Sequence, residues 1–209
     1  APLPILDVVE GILSELAAAR GRGPFPLVVG HSHSHDDHFG GDELLGRRPD
    51  TIIVGASLDS ITRAYGIADW PEGLGSLDLG GRKLTIIPTP GHEDHHVCVY
   101  DPQTGLLLSG DILYPGKLVI NNWPDYRRSA ARLAAFTEGR PFSFVLGAHI
   151  EMKNRPGQLY RIGETYQPDE HVLQLLPAHL REWASACRDM GPTPRRKVHA
   201  DFVLSPGGI

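Results

Sequence analysis

The segment His31-Ser32-His33-Ser34-His35-Asp36-Asp37-His38-Phe39-Gly40-Gly41 places four histidines and two aspartates within eight residues. It follows directly on residues 25–29, an apolar run closed by Gly30, which reads as a buried strand delivering its C-terminal end into a polar loop. The spacing His-x-His-x-Asp-His falls at positions 33, 35, 37 and 38. Zinc takes imidazole nitrogen and carboxylate oxygen where thiolate is absent, and needs several such atoms converging at ~2.0–2.2 Å. Residues two apart on an extended segment point the same way, so His33 and His35 grip one ion, whereas Asp37 and His38 turn with the loop toward another. With histidine at 11 of 209 residues, the pattern arises by chance with a probability on the order of two in a thousand.

Three further strand ends repeat the arrangement. The strand-like stretch 84–89 leads into Pro90-Gly91-His92, Leu106-Leu107-Leu108-Ser109-Gly110 ends on Asp111, and Phe144-Val145-Leu146-Gly147-Ala148 ends on His149. One His or Asp after a strand is ordinarily a turn residue. Four apolar strands ending this way give one set of seven candidate ligands: His33, His35, Asp37, His38, His92, Asp111 and His149.

Around this core the chain mixes crossover units with hairpins. Ile5, Val9, Ile12 and Leu16 predict an amphipathic helix over 5–19. A strand is expected at 51–54, a short helix at 58–65, and strands at 82–88, 97–101 and 106–109, the last two joined by the turn Pro102-Gln103-Thr104-Gly105. A helix at 126–138, a strand at 142–146 and a helical tail at 170–190, interrupted or restarted at Pro177, complete the pass. The class is α/β or α+β, a sheet covered by helices. With no repeat and no linker, residues 1–209 form one domain, with a motif core at 25–150 and a C-terminal helical extension at 168–190.

Composition narrows the function classes. A net charge of -5 disfavours nucleic acid as a partner. Cys98 and Cys187 match no metal or redox spacing and read as small buried hydrophobes. No apolar run reaches the ~18 residues of a membrane span, so a soluble protein is expected, with no membrane partner. The sequence opens on Ala1 without Met, which leaves the compartment open between the cytoplasm and, where an export signal has been removed, the periplasm or exterior.

Across residues 25–150 the five metal motifs resemble those of the metallo-β-lactamase superfamily. The resemblance implies an αββα sandwich with a dinuclear site at one edge. His33, His35 and His92 would hold the first metal, Asp37, His38 and His149 the second, and Asp111 would bridge them. The expected cofactors are two zinc ions, with iron or manganese as alternatives. An aspartate in the bridging role is typical of the glyoxalase II, lactonase and phosphodiesterase-like branches, whereas true β-lactamases generally carry Cys or Ser there. The resemblance therefore implies a dinuclear zinc hydrolase turning a metal-bridging hydroxide on an ester, lactone, thioester or similar bond of a small-molecule substrate. The competing readings are a β-lactamase, a mononuclear iron dioxygenase of the persulfide type, and an inactive metal-binding module.

Asp37 is the candidate to orient the hydroxide and relay its proton. Tyr114, three residues after Asp111, resembles a tyrosine that some lactonases use to hydrogen-bond the substrate carbonyl; packing at the loop base is the other reading. Two departures from the family pattern stand out. The helix at 5–19 stands where the superfamily ordinarily begins with a β-hairpin region, so the sandwich is expected to lack its N-terminal strands and to leave apolar sheet uncovered, as a piece of a longer chain or as a homo-oligomer. After His92, where small residues are usual, the chain carries Glu93-Asp94-His95-His96, read as a substrate contact or as support for a ligand. Trp123 is expected to wall the pocket and Trp70 and Trp183 to pack. His31 falls outside a ligand set already full, and His171, His179 and His199 read as solvated or capping.

Overall fold

Period-two alternation in the central strands sends apolar side chains to both faces of one sheet, and each face builds its own core. The computed structural model describes residues 4–207. The elements run α1 (Ile5–Arg20), β1 (Leu27–Val29), α2 (Asp36–Phe39), α3 (Asp42–Leu45), β2 (Thr51–Ile53), α4 (Leu58–Tyr65), β3 (Gly75–Asp78), β4 (Lys83–Pro88), β5 (Val97–Asp101), β6 (Leu106–Gly110), β7 (Lys117–Ile120), α5 (Trp123–Thr137), β8 (Phe144–Gly147), β9 (Gln174–Leu175), α6 (Pro177–Asp189), β10 (Lys197–Val198) and β11 (Val203–Pro206).

The main sheet has the order β3-β4-β5-β6-β8-β9. Its pairs are antiparallel except β6–β8, which is parallel because α5 makes the crossover. Ile87 on β4, Cys98 and Tyr100 on β5, Leu107 on β6 and Val145 on β8 face one way, into a cluster with Tyr126, Ala130 and Leu133 of α5 and Leu180 and Trp183 of α6. Their neighbours Ile86 and Val97 face the other way, against Val54 and, from α4, Ile61 and Tyr65. Fully burying each large apolar side chain stabilises the fold by about 1.5–3 kcal/mol. β1 and β2 form a separate parallel pair, and β10-β11-β7 a third sheet. The segments after β1, β4, β6 and β8 open on one rim and carry the seven candidate ligands, Asp37 and His38 on the single turn of α2.

The helical extension expected at 168–190 is corrected. Helix begins only at Pro177, β9 precedes it, and Trp183 is fully buried against α5, so α6 is a core layer and no appendage. The residue before a proline is pushed out of the α region, and Leu176 is extended at ψ 162°. α5 likewise starts before Tyr126, at Trp123, where the Asn122 side chain accepts from the Asp125 amide and Pro124 sits in the first turn. β3, β7, β10 and β11 were not expected.

α1 forms as its periodicity predicts but buries no residue, and Ile12 is 53% exposed. Toward β1 the main sheet leaves an apolar cavity of about 460 Å³ lined by Val28, Leu84, Ile86, Val99, Leu108 and Leu146. No helix among the described residues is long and apolar enough to cross a membrane.

Candidate metal centre

β1 leaves its end through Gly30, where a Cβ would collide with the Tyr65 hydroxyl; the chain bends at Ser32 and His33 and is extended at His35 (φ -74°, ψ 144°) before α2 begins. This loop brings His33 and His35 together, their Nε2 and Nδ1 atoms 2.8 Å apart. The helical turn of α2 sends Asp37 and His38 elsewhere. After β4, Gly91 adopts φ +134° against the Tyr126 main chain, which leaves no room for a side chain. His92 follows, with its Nδ1 3.0 Å from the Val119 carbonyl. Nδ1 must carry the proton to donate there, so the Nε2 lone pair points inward, 3.2 Å from His35 Nδ1.

Asp111, at the end of β6, lies between two groups. His33, His35, His92 and Asp111 converge with ligand atoms within 4.8 Å of one another, and Asp37, His38 and His149 form the second such cluster. Asp111 Oδ2 lies 3.6 Å from His92 Nε2 and 3.3 Å from His149 Nε2, and its Oδ1 lies 3.4 Å from His38 Nε2. The carboxylate thus touches both clusters. Asp37 Oδ2 sits 3.3 Å from His149 Nε2 and 3.6 Å from His38 Nε2.

The donor set fits a metal. Tetrahedral bonds of ~2.0–2.1 Å place ligand atoms ~3.3 Å apart, close to the spacings found here. His38 Nε2 and Asp111 Oδ1 are moreover buried without a hydrogen-bond partner, a costly arrangement that a cation between them would relieve.

Electrostatics support the same conclusion. Burial, then the neighbouring His96 and His38, bring His33 down to about 2, and burial brings His96 down to about 3. Burial also lowers His92. Burial works against ionisation of Asp111, but the adjacent His149 and His38 rings overcome it and hold the carboxyl well below its usual range. His149 is raised, first by its hydrogen bond to Asp111. His33 and His92 are thus held neutral beside an ionised Asp111, as a divalent cation requires of the first cluster, whereas His149 on the second holds its proton more readily.

The same shifts give a pH prediction for the metal-free protein. The unfolded chain's histidines titrate near 6.5, while His33 and His96 stay neutral in the fold down to about 2 and about 3. Below 6.5 the unfolded state therefore binds more protons, so the contribution is fully present above that value and fades as pH falls, by up to about 1.4 kcal/mol per pH unit for each ring. Denaturant midpoints of metal-free protein should drop steadily from pH ~7 to ~4; a flat profile would show that these rings are charged in the fold.

Tyr114 and Trp123 stand apart from the pocket roles expected of them, while His31 and His179 sit as the sequence reading has them. The Tyr114 hydroxyl donates to the Lys117 carbonyl at 2.7 Å and faces Glu151 Oε2 at 3.1 Å, so its proton is engaged on the cleft wall rather than pointed at the ligand clusters. Burial, then Glu151, raises it far above the ordinary tyrosine value. Trp123 does not wall the cleft: it is buried, and its Nε1 donates to the Gly191 carbonyl at 3.0 Å. His31 joins neither cluster; its Nδ1 meets the His38 carbonyl at 3.0 Å and its Nε2 meets Asp42 at 3.2 Å. His179 caps α6 by accepting from the Leu176 amide at 2.8 Å, and both it and His171 reach Asp201.

Ser32, which carries no signal in the sequence, and Glu93, read there as a substrate contact or as support for a ligand, hold the ligand loops. The Ser32 hydroxyl lies 3.0 Å from His33 Nδ1 and 3.3 Å from His38 Nδ1, so it links the two clusters from behind. Glu93 accepts from the Ser34 hydroxyl at 3.1 Å and from the His95 amide at 2.8 Å, tying the loop after β4 to the loop after β1. A serine between two histidines carries no periodic signal that would have marked it. In front of the clusters a cleft of about 610 Å³ is lined by His35, Asp37, Tyr114, Lys117, Asn121, His149, Tyr160 and Arg161.

The acyl-coenzyme A thioesterase MBLAC2 of Homo sapiens is 38% identical over 198 residues, covering 78% of this chain and 70% of that protein. The hydroxyacylglutathione hydrolase of Chromohalobacter salexigens is 32% identical over 183 residues, covering 84% of this chain and 65% of that one. The chain spans 66% of the Gallus gallus thioesterase and 42% of a Synechococcus hydroxyacylglutathione hydrolase. Among solved structures, the metallo-beta-lactamase of Hirschia baltica superposes with a TM-score of 0.53 at 16% identity, covering 85% of this chain and 74% of that one, a likeness of fold. The sequence profile of the metallo-beta-lactamase superfamily matches residues 10–149, and the chain belongs to that superfamily.

Proposed function

We propose that this chain is a dinuclear zinc hydrolase of small-molecule thioesters and related esters or lactones. The observation that carries the reading is Asp111, whose two carboxylate oxygens face both ligand clusters at 3.3–3.6 Å. His33, His35 and His92 would hold one ion, Asp37, His38 and His149 the other, with Asp111 shared. Two zinc ions, when bound, supply a water acidified from 15.7 to about 7 and a Lewis acid for the substrate carbonyl. The chain's own groups do the rest. Asp37, at the cleft and half exposed, takes up the proton released by the attacking water and passes it toward solvent. Tyr114 and Glu151 hold the wall after β6 rigid beside His149, and Asn121, whose amide donates to the His92 carbonyl at 2.6 Å, fixes the opposite wall.

The thioester preference draws support from the names of the relatives, an acyl-coenzyme A thioesterase and hydroxyacylglutathione hydrolases. Lys117 and Arg161 line the cleft and form no ion pair among the described residues, which suits a substrate carrying negative charge on one half. A second full cluster beside the first favours two ions over the single iron of a dioxygenase.

Elemental analysis and a substrate panel test the proposal together. After zinc supplementation the purified chain should hold two zinc ions and cleave anionic thioesters faster than neutral thioesters, esters, lactones or β-lactams. A chain without transition metal, or one that binds zinc yet leaves the whole panel intact, would end the hydrolase reading.

A further inference from the structure

His96 is fully buried and lines no part of the cleft, yet it is an imidazole where a leucine would pack more simply. Its Nε2 accepts from the backbone amide of Asp111 at 3.2 Å. Accepting there requires Nε2 to be unprotonated, so Nδ1 carries the hydrogen and donates to Thr89 Oγ1 at 2.8 Å. Thr89 is itself fully buried at the end of β4, and its hydroxyl lies 3.4 Å from Cys98 Sγ. The tautomer of His96 is thus fixed from behind by β4 and β5. The ring also stacks on His33, with centroids 5.2 Å apart and planes 29° from parallel. Gly110, at φ +51°, permits this approach: a Cβ there would lie 2.7 Å from His96 Nε2 and 2.5 Å from Ser32 Cβ.

We propose that His96 is a positioning residue of the metal centre: its Nε2 fixes the main chain that carries the Asp111 carboxylate, and its stacked face fixes the plane of the His33 ring. One side chain then sets two groups of the first cluster, one of which also touches the second. Ligand groups must be held to within about 0.5 Å to bind well, and a carboxylate facing both clusters has less tolerance than a ligand of one. The inference rests on the metal-binding reading above.

The test is zinc affinity of the full chain, by competition with a chelator, together with the rise in Tm that zinc produces. His96→Ala should weaken zinc binding about 10–100-fold, the usual cost of losing a group that orients a ligand. His96→Gln, which keeps an acceptor at the end of the side chain, should recover most of the affinity. Thr89→Val, which removes the partner that fixes the tautomer, should fall between. A purely structural role would lower Tm equally with and without zinc, whereas positioning shrinks the zinc-dependent rise. Zinc binding by His96→Ala within about twofold of the parent overturns the proposal. Where that variant does not fold, the same result for Thr89→Val overturns it. A parent chain that binds no zinc overturns this inference and the reading beneath it together, so the two failures are distinguishable.

Discussion

Asp111→Ala will lose at least one zinc ion per chain and on the order of 10³-fold in turnover. The carboxylate is nearly buried and is the one anionic group that both ligand clusters touch, so its removal does more than delete one donor. His33 and His92 would be left with no negative charge beside them, Asp37 alone would remain next to His38 and His149, and two cations held close together would repel with little screening between them. Asp111→Asn separates the two parts of the effect, because it keeps the shape and one acceptor oxygen while discarding the charge. Metal content by elemental analysis and turnover on the best thioester of the panel are the readouts. Two zinc ions retained by Asp111→Ala, with turnover within about tenfold of the parent, would remove Asp111 from the centre of the site.

Asp37→Asn should act on rate more than on binding. Its carboxylate is exposed to the cleft while one oxygen stays 3.3 Å from His149, so it can hold a ligand position and still exchange protons with solvent. Asparagine preserves an oxygen at that position but takes up no proton. The expected result is a kcat lower by about 10²–10⁴-fold with KM little changed, the signature of an interaction made in the transition state. Zinc stoichiometry must be measured alongside, since lost metal would mimic lost proton transfer. A variant with full metal and unchanged kcat would transfer the proton role to another group.

The rim was legible because its ligands follow apolar runs that stop abruptly, at Gly30, Gly91, Gly110 and just past Gly147. Local composition marks such strand ends, and His33, His35, His92 and Asp111 converge because the ends of β1, β4 and β6 share one rim. Glu93 and His96 fall in the segment after His92 that was read as a substrate contact or as support for a ligand, whereas Ser32 and Thr89 act through side-chain contacts that no periodicity or spacing marks. Tyr114 shows the same limit, since its partner Glu151 comes far later in the chain. β7 and β11 escaped notice for a related reason: each is four residues long, and their parallel pairing joins distant stretches that give no hairpin signal. Trp123 was misplaced because an aromatic in a loop after a ligand reads as a wall, whereas Asn122 turns that loop into a helix whose first turn faces the core.

The parallel pairing of β11 with β7 also bears on how the protein is made. Val203 lies opposite Lys117, and β7 supplies the Val119 carbonyl that orients His92. During synthesis the histidine-rich loop leaves the ribosome long before the strand that completes the sheet behind His92. Contacts between distant segments form late, and the histidine-rich loop is made before β11, the strand that backs the frame aiming His92.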